Sequence, residues 1–160
     1  MSSFNRRLFC LAPLALAACG FTPVNAPGGT GSALRNAVQV NEPADRNAFL
    51  LTQHIESKIG RASSPRFSLS LNVTATAVGL GVDPEGNTDR FNLLGGAGYV
   101  LSDIENGQQV TSGTVNSFTG YSTTDSTVAT LAAERDARER LMVILGDQIV
   151  ARLLAASLTP

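Results

Sequence analysis

Residues Phe67 to Val78 constrain this chain more than any other stretch. Phe67, Leu69, Leu71, Val73, Ala75 and Ala77 alternate with Ser68, Ser70, Asn72, Thr74 and Thr76. A period of two sends successive side chains to opposite faces of a strand. The segment therefore has one dry face and one face of hydroxyls and amides. Such a strand fits a sheet that is packed on one side and open on the other.

Three more segments read as strands. Ala37 to Asn41 has β-branched residues at alternate places and is ended by Pro43. Arg90 to Ser102 carries Phe91, Leu93, Ala97, Tyr99 and Leu101 on one parity, after a turn at Asp83-Pro84-Glu85-Gly86-Asn87. Gly95, Gly96 and Gly98 interrupt it and predict a bulge or a close backbone approach. A phosphate-cradling loop at Gly95-Gly96-Ala97-Gly98 would need a helix to start after it, and none does. Asn106-Gly107 is a hairpin turn leading into a fourth strand, Gln109 to Tyr121, with Val110, Val115, Phe118 and Tyr121.

Two helices complete the pattern. Asp45 is placed to cap a helix from Arg46 to Ile59, Gly60 stops it, and Ala48, Leu51, Ile55 and Ile59 form its buried stripe. Ser126 or Thr127 caps a second helix from Val128 to Leu158, some 45 Å at about 1.5 Å per residue. Its first half has Glu134–Arg138 and Asp136–Arg140 in the favourable acid-before-base order. In its second half Leu141, Leu145, Ile149 and Leu153 make one stripe, while Val143, Val150 and Leu154 point elsewhere. A helix apolar beyond one stripe needs more than one partner surface, either helix and sheet together or another protein. The expected fold is α+β, a four-stranded sheet with two helices packed on one face, over residues 37–160.

The N-terminus carries export signals in order. Arg6 and Arg7 precede an apolar run from Leu8 to Ala18. That run fits a secretory signal of about 7–15 apolar residues and falls short of the roughly 20 needed to span a bilayer. Asn5-Arg6-Arg7-Leu8-Phe9 also resembles a loose twin-arginine signal, so either export route is open. Leu16-Ala17-Ala18-Cys19 resembles the lipobox, in which the thiol is acylated and the chain is cut ahead of it. Residues 1–18 are therefore expected to be a lipoprotein signal peptide and Cys19 the lipid attachment site. Residues 19–36, rich in Gly, Pro, Ser and Thr, are expected to be a tether. Several acyl chains on one cysteine exceed the two signals that stable anchoring takes. Gly20, where an aspartate would favour inner-membrane retention, favours the outer membrane.

Removing the signal leaves 142 of the 160 residues, enough for one core without staples. Arg6 and Arg7 leave with it, so 10 basic against 13 acidic side chains give a net charge of −3. A mildly acidic domain lacks the basic surface that nucleic-acid binding requires. Cys10 is discarded and Cys19 carries lipid, so no disulfide is expected. A single His54, with no spaced metal ligands and no Gly-x-Ser-x-Gly elbow, gives no catalytic or metal constellation. The chain is expected to be no enzyme and to use no cofactor.

Several stretches carry a family resemblance. They are Cys19-Gly20-Phe21-Thr22-Pro23-Val24, the helix end Lys58-Ile59-Gly60, Thr88-Asp89-Arg90-Phe91 opening the third strand, and Leu145-Gly146-Asp147-Gln148-Ile149 in the last helix. Together they resemble the LptE family of lipopolysaccharide-assembly lipoproteins. The resemblance implies an outer-membrane lipoprotein that plugs the β-barrel LptD, helps place lipopolysaccharide in the outer leaflet, and faces the periplasm and the barrel lumen. On that reading the partners are an LptD-like barrel, lipopolysaccharide and the membrane. Arg90 becomes a candidate ligand for lipid phosphate, which a guanidinium fork can grip with two bonds; a rim arginine paired with Asp89 or Glu85 is the plainer reading. The uncharged strand face with Ser70, Asn72 and Thr74 becomes the candidate partner face, suited to the polar wall of a barrel lumen. A chain of this size and lipobox also resembles the lipoprotein accessory subunit of an ABC-type lipid transport system.

Overall fold

A computed structural model describes residues 29–81, 86, 88–124 and 126–156. Cys19, the signal segment and most of the Asp83–Asn87 turn lie outside the described residues. The element order is α1 (Thr30–Leu34), β1 (Val38–Val40), α2 (Arg46–Ile59), β2 (Phe67–Gly79), β3 (Arg90–Asp103), β4 (Gln109–Ser122) and α3 (Thr127–Ala155). The strands form one sheet in the order β1-β2-β3-β4. β2, β3 and β4 are an antiparallel meander, while β1 pairs in parallel with β2. Parallel neighbours need a crossover, and α2 supplies it.

The caps behave as expected. The Asp45 carboxylate accepts from the Ala48 N–H at 2.8 Å, and Gly60 takes φ +83° at the α2 terminus. The Ser126 hydroxyl accepts from the Ala129 N–H to open α3. Glu134–Arg138 and Asp136–Arg140 both close as ion pairs along α3. At the Asn106-Gly107 turn, Gly107 has φ +69° and Asp103 N–H donates to Gln108 O, which joins β3 to β4.

One face of the sheet carries the core. Phe67, Leu69, Leu93, Ala97, Tyr99, Leu101 and Val115 meet Leu51, Ile55 and Ile59 of α2 and Leu141, Leu145, Ile149 and Leu153 of α3. Each fully buried large apolar side chain contributes about 1.5–3 kcal/mol. The second half of α3 lies against both α2 and the sheet. That buries Val150 and half-buries Leu154 within the molecule, whereas Val143 and its neighbour Ile144 stay exposed. Thr119 pins the crossing, its hydroxyl donating to Ala137 O at 2.9 Å, both residues being buried. Between the helices, His54 Nε2 lies 2.8 Å from an Asp147 carboxylate oxygen, and that bond holds the Asp147 carboxyl below the usual carboxylate range.

Two details depart from the sequence reading. The segment read as the end of a tether contains α1, and Leu34 is fully buried in the core. Asn36, at φ +57°, donates its N–H to Ile59 O, docking this segment on the α2 terminus. One short turn leaves no periodicity to detect, so a Gly-Ser-Thr composition conceals it. The glycines of β3 make no bulge, because the ladder runs unbroken from Phe91 to Leu101 and its irregularity falls between Leu101 and Ser102. Gly95 instead marks a close approach, where a Cβ would sit 2.6 Å from Leu141 Cδ2.

Candidate interaction face

The other face of the sheet has no described helix upon it. β2 contributes Ser68, Ser70, Asn72, Thr74, Thr76 and Val78 to this face, all exposed except half-buried Ser68. The register sets Ser102, Val100, Gly98, Gly96, Leu94 and Asn92 of β3 beside them. Ser112, Thr114, Asn116, Phe118 and Gly120 of β4 follow. The candidate residues Ser70, Asn72 and Thr74 thus lie in one row at the middle of the face.

Charge is almost absent from it. Among the strand residues of this face, Arg90 alone is ionised, and it stands at the end where β3 begins, across from Ser122. Arg90 makes no ion pair with Asp89 among the described residues, and Glu85 lies outside them. The described face therefore places Arg90 in line with the hydroxyl row, one strand over and at its far end. The sheet is about 43 Å long at some 3.3 Å per residue. Arg90 and the β2–β3 turn lie at one end of it; α1, which leads back to Cys19, packs near the other.

The hydroxyls are not all idle. Asn41, just past β1, donates its amide to Ser70 Oγ at 2.7 Å and accepts from Ser68 Oγ at 2.9 Å. Thr74 Oγ1 reaches Gly96 O at 3.4 Å. Asn72 has no such partner among the described residues and is free to bond outward.

The sequence reading missed the apolar part of this face. Phe118 is 62% exposed and Leu94 46% exposed, and the two are cross-strand neighbours with Val78 close by. Leu94 and Phe118 border a shallow depression of about 540 Å³ over Gly96, shared with Thr74, Thr76 and Asn116. A signal existed: Val115 and Phe118 are three residues apart, so on one strand they must point to opposite faces. Counting β4 as a set of apolar residues hid that parity. The face is polar along β2 and apolar where Leu94 and Phe118 meet, a mixture typical of protein contact surfaces.

No acid–base, nucleophilic or metal cluster gathers here. Groups of three or more His, Asp or Glu able to hold a metal do not occur among the described residues. No described helix is long and apolar enough to cross a membrane.

The fold is shared with known structures. A protein from Caulobacter crescentus described as a lipoprotein superposes with a TM-score of 0.66 at 23% identity, covering 80% of this chain and 95% of that one. Rare lipoprotein B from Shewanella oneidensis gives 0.58 at 10% identity, covering 74% and 92%. A minor lipoprotein from Acinetobacter baumannii gives 0.54 at 15% identity, covering 78% and 95%. No family model and no curated protein matches the sequence. The chain thus has the fold of solved proteins described as lipoproteins, over nearly their whole length.

Proposed function

We propose that this chain is an outer-membrane lipoprotein of the LptE family, anchored through Cys19, which plugs an LptD-like barrel and assists lipopolysaccharide assembly in the outer leaflet. The observation that carries the reading is the open sheet face, a broad strand surface with one charge at its rim and, among the described residues, no helix upon it. Solvated faces normally carry interspersed charge for solubility. A face of hydroxyls and amides with one apolar cluster suits burial against the polar wall of a barrel lumen. A plug of this kind should bury well over about 1,000 Å², the scale of a stable interface. The lipobox at Leu16–Cys19 and the fold shared with rare lipoprotein B support the lipoprotein part of this reading.

Affinity capture of the full-length protein from detergent-solubilised outer membranes tests it. A large outer-membrane barrel should be recovered in roughly equal amount. Recovery of an inner-membrane permease complex instead would replace this reading with that of a transporter subunit.

Arg90 has its own test. Lipid A carries phosphates, and a guanidinium grips two oxygens at once. Arg90→Ala should weaken lipopolysaccharide binding in a filter or fluorescence assay, while stability stays within about 0.5 kcal/mol, as for an exposed position. Unchanged binding by the folded variant would remove Arg90 from the site.

A further inference from the structure

The sheet has two edges, and they are treated differently. β1 is three residues long and is followed by Asn41-Glu42-Pro43, so its free edge is short and soon broken. β4 is 14 residues long, pairs with β3 alone among the described strands, and contains no charged residue and no proline. Long edge strands ordinarily carry lysine, proline, a mid-strand bulge or a covering element, because their unpaired N–H and C=O groups template other chains.

Alternate residues of β4 turn their main-chain groups away from β3. Thr114 and Gly120 are two of them. Arg152 Nη1 donates to Thr114 O at 2.7 Å, and Arg140 Nη2 donates to Gly120 O at 3.2 Å. Between these two clamps lie Asn116 and Phe118, of the same parity. Their outward N–H and C=O groups have no hydrogen-bond partner among the described residues. The open window from Thr114 to Gly120 is about 20 Å long at some 3.4 Å per residue. Arg140, Ile144, Gln148 and Arg152 recur four apart along the α3 flank that reaches this edge, and Ile144 is exposed there.

We infer that the β4 edge between Thr114 and Gly120 is a strand-addition site, which takes an extended polypeptide segment of the barrel partner. The inference rests on the plug reading and specifies how the partner is gripped. Main-chain groups of the added strand bond Asn116 and Phe118, and an apolar side chain of that strand lies against Ile144. The segment is uncharged or acidic, since Arg152, with no ion pair among the described residues, stands at one end of the window and Arg140, paired with Asp136, at the other. A second copy of this chain is a poor occupant. An antiparallel β4–β4 pairing centred on the window would set Thr114 across from Gly120, bringing Arg152 of each copy beside Arg140 of the other. Each end of such a seam would hold two guanidiniums against the one Asp136 carboxylate, a net like charge that opposes pairing.

The test uses full-length protein captured with its barrel from detergent-solubilised outer membranes, beside the same protein alone in detergent. Backbone amide hydrogen exchange is followed at Asn116 and Phe118. In the complex both amides should exchange at least about tenfold more slowly than in the free protein. Asn116→Pro removes the outward N–H without touching the bonds to β3, and Asn116→Ala removes only the side chain. The proline variant should recover at least about tenfold less barrel than the alanine variant, whose loss is limited to the side chain's own share of the open face. If barrel is captured but the amides exchange alike in both states, strand addition is overturned and the plug reading stands. If alanine and proline lower recovery equally, the side chain and not the edge makes the contact, and the inference fails. Cross-links joining two copies through β4 would overturn the choice of occupant. Absence of any barrel from the wild-type capture overturns the plug reading and this inference with it.

Discussion

Leu141→Ala should destabilise the domain by about 2–5 kcal/mol, which is a large part of the stability of a single domain. Leu141 is fully buried and lies where α3 crosses β3. Its isobutyl group fills the space that Gly95 leaves by having no side chain, with a position for Cβ only 2.6 Å from Leu141 Cδ2. Truncation removes the methyl groups and leaves a cavity that the facing glycine cannot fill. The cost should therefore fall toward the upper part of the range. The converse change, Gly95→Val, crowds the same spot and should cost about 1–3 kcal/mol by overpacking. Urea unfolding of the soluble domain measures both. A cost below about 1 kcal/mol for Leu141→Ala would mean that α3 does not seat on Gly95 as described.

Cys19→Ala should abolish stable membrane attachment. Cys19 is the only residue at the end of the apolar run able to accept acyl chains in thioether or thioester chemistry. Each buried methylene contributes about 0.8 kcal/mol, and without the thiol no diacylglyceryl group is attached, so that contribution to anchoring is lost. The variant should accumulate as an uncleaved or misprocessed precursor and fail to partition with membranes after export. Fractionation and intact-mass measurement read both effects. A variant still processed and firmly membrane-bound would place the anchor elsewhere.

Much of the fold can be read from the residues, because its elements carry strong local signals. The alternation at Phe67–Val78 defines β2, Asn106-Gly107 the β3–β4 hairpin, and Asp45 with Gly60 the two ends of α2. What local pattern does not carry is long-range pairing. The parallel pairing of β1 with β2 depends on α2 crossing over the sheet, which no period reveals. α1 is too short for a periodic stripe, and the burial of Gly31 and Leu34 marks it as part of the core.

The site divides in the same way. The hydroxyl row of Ser70, Asn72 and Thr74 follows from parity alone, and the structure lays it on an open face. The Leu94–Phe118 cluster needed the register between β3 and β4, and the Asn41 bridge to Ser68 and Ser70 needed the position of β1. The Arg140 and Arg152 clamps needed the path of α3. In the sequence Arg140 reads only as the partner of Asp136, four residues before it.

The central claim is that the open sheet face meets the wall of an outer-membrane barrel. The most direct measurement is the amount of barrel captured by wild type and by a Ser70→Lys, Asn72→Lys variant. Both positions are exposed, so the variant should fold, losing only the Asn41–Ser70 bond at a cost of about 0.5–1.5 kcal/mol. Two ammonium groups placed in the middle of an uncharged contact would have to be desolvated without partners, which costs far more than the contact gains. The account predicts barrel in near-equal amount with wild type and little or none with the folded variant. Equal recovery with both would contradict it.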